Sequence, residues 1–561
     1  MMKKTKRSKP FIYSAVTVLL ALYAFSSAVN FNPMYSDGAF FWCIVISAYT
    51  LIWCVFKLGG ALSLFESNTV SGRPSINPGA INFKLFPKAA KLFLIVPWVL
   101  FIGYNIFSMP IFHYKAYRDQ LGAVSQQVFS NDMQAVDLSQ VPIVDKELAR
   151  KLADKKLGER ASLGSQVVLG EPTIQRNNDK LIWAVPLYHS GVFKWLTNLS
   201  GTPGYIVVSA TNVNDVDYVE GHKIKYQPQS HLMFDIGRHT RFTAALFEGI
   251  TDYSFELDDS GVPYWIVTTY KNLRGFALPE ATGVIIVNAS TGASQKYQIS
   301  NVPEWVDRVQ PEYFIRRQID NQGEYVHGIF NFADKDKFQS SEGHAIVYNN
   351  GRCYLFTGLT SVGNDESAIG FMMVDMVTKK PLLYQMNGAT EYAAQGSAQG
   401  KVQHLGYYAS FPLIINVDSV PTYFMTLKDR EGLIKQYALV SVANYSTVGV
   451  GETISQAYRN YQTVLRQNNE SSQLLPSSGS EQKLIGTVER IASQYNGEDT
   501  IYFVILSDYK NRILTVNSSL SSELALTREG DRVQITYWGD GQNTQPIIEA
   551  TGFDNLQYTQ K

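Results

Sequence analysis

Cysteine is scarce, at three in 561 residues. Three thiols cannot build the disulfide framework that holds small secreted domains together. Cys43 and Cys54 fall in an apolar run near the N-terminus, which leaves Cys353 alone in all that follows. Its setting in the strand-like GRCYLFTGL is that of a buried structural thiol rather than a nucleophile. Charge is scarce too. Charged residues make up 17% of the chain, against about 25% in typical soluble domains. Lys+Arg 49 balance Asp+Glu 49, which excludes a strongly basic nucleic-acid binder or an acidic solvating chain at whole-molecule level. Local catalytic signatures are missing as well. The eight histidines are scattered without an HExxH pattern, and there is neither a GxSxG elbow nor a Walker P-loop. The glycine turn VGVGETIS (448–455) has no third glycine and no following Lys, so it reads as a helix start capped at Thr453. NVNDVDYVEG (212–221) does not match the ligand spacing of an EF-hand loop and reads as a solvated turn. No metal, cofactor or catalytic residue is therefore expected, and the chain is read as a non-enzyme.

What the sequence does have is apolar and aromatic bulk, 45% and 13%, in a length of roughly three or four domains at about 150 residues each. Three stretches without a Lys, Arg, Asp or Glu, residues 11–29, 39–56 and 92–111, are long enough to cross about 30 Å of hydrocarbon. The N-terminal tail carries Lys3, Lys4, Lys6, Arg7 and Lys9. The loop 30–38 carries no basic residue, and the next loop carries Lys57, Arg73, Lys84, Lys88 and Lys91. By the positive-inside rule the N-terminus and the second loop are cytoplasmic, and everything after residue 111 is extracytoplasmic. The overall neutrality is thus a sum across a membrane: ten of the 49 basic and one of the 49 acidic residues are inside, leaving 39 and 48 for the rest.

Beyond the 1–111 anchor, one pattern recurs four times: a strand, a polar turn, a strand with an aromatic, a loop, and an apolar strand. The copies contain PTIQRNNDKLIWAVPL, YSFELDDSGVPYWIVTTY, AIVYNNGRCYLFTGL and FPLIINVDSVPTYFMTL. RNNDK, DDSG and NNG supply the residues that tight hairpin turns need. Helical patterns separate the copies; the first, VDKELARKLADKKLGER, has Leu148, Leu152 and Leu157 near one face and Asp145 as N-cap. The expected class is α+β, with antiparallel meanders and no βαβ alternation. Residues 112–300 hold the first pair of repeats, 301–343 a helical connector and 344–465 the second pair. Residues 466–482, rich in Ser, Gln and Asn, form a linker, and 483–561 form a small five-stranded barrel.

The helix, the YW-containing strand and the closing strand running into VNASTG or VDMVTKK resemble the PepSY type of domain found in peptidase propeptides and bacterial membrane-anchored proteins. That resemblance implies a non-catalytic extracytoplasmic module, in some members inhibitory towards proteases. The five C-terminal strand candidates resemble an oligonucleotide/oligosaccharide-binding (OB) barrel in order and length. Tyr495, Tyr502, Phe503, Tyr537 and Trp538 are its candidate ligand-contact aromatics, although alternate strand residues of this kind more often fill the barrel. From Glu481 onward, 7 basic and 11 acidic residues argue against a phosphate-backbone ligand. The combined expectation is a protein of the cytoplasmic membrane and cell envelope whose exported repeats form a protein-binding or scaffold module. Its partners are the lipid bilayer and either another protein or a second copy of itself. The alternatives are a regulator or inhibitor of an exported peptidase, and an extracytoplasmic enzyme whose site is assembled from distant residues.

Overall fold

The computed structural model describes residues 5–58, 65–67, 74–76, 86–129, 141–349, 351–362, 368–417, 420–468, 480–495, 500–510, 512–539 and 547–558. Most of the basic second loop and of the 466–482 linker lies outside the described residues, as does the side chain of Trp538.

Three apolar helices open the chain: α1 (Thr5–Ser26), α2 (Ser36–Leu58) and α3 (Lys88–Phe107). Two of them, α2 and α3, are long and apolar enough to cross a membrane. The expected first span, 11–29, is cut short at its far end because α1 stops at Ser26, which leaves a shorter apolar helix, Pro10–Ser26. Tyr13 stacks on Tyr49 with ring centroids 6.1 Å apart, and the Trp98 indole donates to Ser47 Oγ at 2.9 Å. A ring stack and a neutral hydrogen bond thus fix helix contacts without exposing charge. α4 (Pro110–Arg118) follows at once and is tied back by Tyr117, whose hydroxyl donates to the Ser108 carbonyl at 2.6 Å.

The chain divides into two compact units, residues 1–416 with 421–446, and residues 417–420 with 447–561. The larger unit is α+β, with four mainly antiparallel sheets accompanied by helices, besides a two-stranded pairing of Phe65–Ser67 with Pro74–Ile76. In the first sheet Asn177 pairs with Lys180, which leaves Asn178 and Asp179 as a two-residue turn at φ 48° and 61°. Asn and Asp tolerate this left-handed conformation better than most residues. α5 (Lys146–Gly158) lies on this sheet. The Asp145 carboxylate accepts from Leu148 N at 2.9 Å, and Leu148 and Leu157 are buried while Leu152 is half-buried. α6 (Val192–Thr197) is a short exposed turn of helix between two strands of the same sheet.

The second sheet runs in chain order through Gly249–Leu257, Pro263–Arg274, Ala277–Asn288 and Ser294–Gln298. In its DDSG turn, Asp258 Oδ1 accepts from Ser260 N at 3.0 Å and Val262 N at 2.8 Å, while Gly261 takes φ 80°. α7 (Ile236–Ala244) contributes Ile236 to a core that the first two sheets share, with Tyr205 from the first and Phe255, Trp265 and Ile285 from the second.

The third sheet includes Arg352–Ser361, Ala368–Asp375 and Pro381–Gly388, the last paired in parallel with Ser125–Gln126. The stretch read as a connector forms α8 (Glu312–Glu324), and its Ile315 and Ile319 are buried with Leu355, Met372 and Val374 of the third sheet. The fourth sheet pairs Tyr408–Ala409, Val420–Lys428 and Ile434–Ser441, accompanied by α9 (Glu391–Lys401).

In the smaller unit, α10 (Ile454–Gln467) begins where Thr453 Oγ1 accepts from Gln456 N at 3.1 Å, the capped helix start expected of the glycine turn. Five strands follow: Ser480–Tyr495, Thr500–Leu506, Ile513–Asn517, Arg532–Gly539 and Ile547–Asn555. They pair in the cyclic order first, second, third, fifth, fourth, and the long first strand pairs with both the second and the fourth. The third and fifth are parallel and the other pairs antiparallel, around Val504, Leu514, Val533, Ile535 and Phe553.

Candidate functional site

A cavity of about 470 Å³ opens in the larger unit, where strands and loops from the first, third and fourth sheets meet the start of α8. Its apolar wall includes Ile174 and Trp183 from the first sheet, Ile346 from the third, and Phe411 and Phe424 from the fourth. Trp183 is held by its indole N–H, which donates to the Val144 carbonyl at 2.7 Å.

The polar end is built on Glu312, in the first turn of α8, where the positive end of the helix dipole favours a carboxylate. Arg308 Nη1 donates to Glu312 Oε1 at 2.9 Å, and His344 Nε2 lies 2.8 Å from Oε2. Burial by itself would push this carboxyl up. The hydrogen bond from His344 and the charges of Arg308, His344 and Lys146 outweigh it and hold it to about 2. Such a carboxylate is a weak base with both oxygens engaged. The arrangement is therefore suited to presenting fixed charge to a ligand rather than to moving protons.

A second ion pair borders the cavity. Asp145, the cap of α5, also pairs with Lys428, whose side chain is only 1% exposed. One carboxylate thus ties α5 to the fourth sheet, and its loss would strand a buried ammonium.

Deeper in the larger unit, Glu256 is fully buried and accepts from Ser254 Oγ at 2.8 Å and from the Asp307 backbone N–H at 3.0 Å. Burial, reinforced by the Asp307 charge, pushes its carboxyl up to about 8. Asp307 is also raised by burial, although Arg176 N and the Tyr348 hydroxyl donate to it at 2.7 and 2.9 Å. Cys353 is buried beside this cluster, and burial pushes its thiol up, which keeps it protonated and unreactive. Among the described residues no group of three or more His, Cys, Asp or Glu is placed to hold a metal ion.

The loop between α1 and α2 is bonded to the second helix-and-sheet module, a contact for which the sequence has no local signal. Asn30 Nδ2 donates to the Glu248 carbonyl at 3.0 Å, Phe31 N to the Leu246 carbonyl at 3.2 Å, and the Tyr35 hydroxyl to the Tyr270 carbonyl at 2.8 Å. The buried Arg241 guanidinium gathers the carbonyls of Ala28, Ala245 and Glu248 at 3.1, 2.5 and 2.5 Å.

Among the barrel aromatics whose side chains are described, burial differs from one to the next. Tyr537 is buried in the barrel core, Tyr502 packs half-buried against it, and Phe503 is half-buried. Tyr495 is exposed at the end of the first barrel strand. Tyr537 therefore has no free ring face for a ligand.

No family model matches the chain, and no curated protein does. Among solved structures the chain is similar to the crystal structure of an ACO/RPE65 chimera, over 48% of this chain and 47% of that one. The identity is 9% and the TM-score 0.13, a likeness too slight to carry any argument on fold or function.

Proposed function

We propose that the protein is a membrane-anchored envelope protein whose extracytoplasmic part is a non-catalytic protein-interaction or scaffold module. The observation that carries this reading is the bonding of the 30–38 loop to the second sheet module. Helices α2 and α3, one crossing in and the other back, return the chain to the side on which that loop lies. The contacts therefore agree with the charge-based orientation, in which α1 is a third crossing. They also make the large domain a rigid extension of the anchor, as a scaffold requires, because backbone carbonyls on both sides are satisfied by side chains of the other.

The four modules of helix and antiparallel sheet support a PepSY-like exported region, and the barrel's strand order with its parallel third and fifth strands supports an OB-like fold. The cavity is the place for a partner segment. Its apolar wall suits an aliphatic or aromatic side chain, and its Arg308–Glu312–His344 end suits a polar or charged terminus. Crosslinking of the full chain in native membranes, followed by capture, tests this: a reproducible protein partner is expected, and its capture should weaken with Trp183→Ala and Phe424→Ala. Absence of any partner together with turnover of a substrate would overturn the proposal.

A further inference from the structure

Large apolar side chains left in the open mark a surface that something covers. Among the described residues of the larger unit beyond α4, the three most exposed are Phe332 at 85%, Phe193 at 79% and Phe330 at 74%. All three sit in segments tied to the points where the apolar helices meet the domain. Phe193 and Leu196 project from α6, whose buried Trp195 packs on His231 and Phe234 with ring centroids 5.0 and 5.7 Å away. Next to His231 is the exposed Leu232, held at φ 51°, a conformation uncommon for a leucine. Arg238 keeps it there, donating to the carbonyls of Ser230 and Leu232 at 2.6 and 2.7 Å and reaching the carbonyl of Ser26, the last residue of α1, at 3.4 Å. The exposed Phe247 gives its carbonyl to Asn32 in the α1–α2 loop at 3.0 Å. Phe330 and Phe332 follow α8 in a loop seated on α4, where the Tyr325 ring lies 6.0 Å from Tyr117 and Gly328 sits against the Tyr114 ring. α4 itself begins directly after α3.

We propose that these six residues form a collar that sits in the headgroup and outer acyl-chain region of the bilayer crossed by the helices, so that the exported domain rests on the membrane. The proposal builds on the membrane-spanning reading above. A lipid occupant follows from continuity. The collar lies at the ends of α1 and α3, whose own lipid-facing sides expose Leu19, Leu22, Leu92 and Leu100. The exposed Lys194 beside Phe193 is placed as a cation is on an interfacial amphipathic helix. The exposed Leu232 side chain and the solvent-facing phenylalanines leave apolar surface in water that such a boundary would cover.

The test uses the full chain reconstituted into phosphatidylcholine–phosphatidylglycerol vesicles, with an environment-sensitive fluorophore on single introduced thiols. Phe193→Cys and Phe332→Cys probe the collar, Leu100→Cys probes α3, and Leu433→Cys probes an exposed apolar site on the fourth sheet's hairpin. Lipids spin-labelled at the headgroup or deep in the chain serve as quenchers. Expected are blue-shifted emission and stronger quenching by the shallow label at both collar sites, stronger quenching by the deep label at Leu100→Cys, and no quenching at Leu433→Cys. Quenching at Leu100→Cys with none at one or both collar sites overturns the collar and leaves the spanning helices standing. Absence of quenching at Leu100→Cys overturns the spanning reading, and the collar with it.

Discussion

Replacing Glu256 with Gln removes a buried carboxyl while keeping its shape and the acceptor for the Asp307 backbone N–H. In the folded chain this group titrates near 8, against an ordinary value of 4.5. Below 4.5 it is protonated in both folded and unfolded chains and is neutral towards stability. Between 4.5 and about 8 the unfolded chain has released a proton that the folded chain still holds, so stability falls as pH rises. The slope is at most about 1.4 kcal/mol per pH unit, and the whole window amounts to on the order of 5 kcal/mol. Unfolding of the detergent-solubilised full chain, followed by tryptophan fluorescence at pH values from about 5 to about 8, reads this directly. Glu256→Gln should nearly match the parent at the acid end and exceed it by about 3–4 kcal/mol at the alkaline end. Asp307, also raised by burial, contributes a slope of the same sign that survives in the variant, so its curve flattens without becoming level. Parallel curves for parent and variant would refute the reasoning. Glu312 has the opposite sign: held to about 2, below its ordinary 4.5, it contributes stability that is present above 4.5 and lost as pH falls towards 2. Glu312→Gln should therefore approach the parent near pH 2 and fall below it above 4.5.

Three further substitutions separate packing from charge. Asp145→Asn keeps a good helix cap but strands the Lys428 ammonium. It should cost up to about 3 kcal/mol in unfolding experiments, with most of that recovered when Lys428→Met is added. Gly323→Ala would drive a Cβ into the Phe338 carbonyl oxygen, whereas Gly396 in α9 has nothing within 4 Å. The first should lose about 1–3 kcal/mol despite the better helix propensity of alanine, and the second should gain up to about 1 kcal/mol. Arg241→Met leaves the carbonyls of Ala28, Ala245 and Glu248 without this donor, so hydrogen exchange near residues 28–35 and 245–249 should accelerate while the barrel strands keep their protection.

Local chemistry was legible in the sequence. Asn178–Asp179, the DDSG turn, the Asp145 cap and the Thr453 helix start all act within a few residues, and each took the expected form. The antiparallel α+β character followed from the same signals. What escaped was carried by groups that leave no pattern. The anchor-to-domain contacts end on backbone carbonyls of Leu246, Glu248 and Tyr270, which every residue has. The cavity draws Trp183, Arg308, His344 and Phe424 from segments far apart in the chain. The helical pattern within 301–343 was legible as a connector, but only the third sheet's apolar surface shows what Ile315 and Ile319 pack against. Tyr537 fills the barrel core, the commoner fate of a strand aromatic, but alternation alone does not say which of the five aromatics goes inside.

The central claim, a large extracytoplasmic domain joined to the outer end of its membrane anchor, is tested most directly by labelling with a membrane-impermeant maleimide on intact spheroplasts. The native thiols Cys43, Cys54 and Cys353 are all buried, so the background is low. Met34→Cys in the α1–α2 loop and Glu431→Cys in the fourth sheet's hairpin should both label from outside, and Ser75→Cys in the second loop only after permeabilisation. Labelling of Ser75→Cys on intact spheroplasts, or protection of either of the other two, would contradict the account.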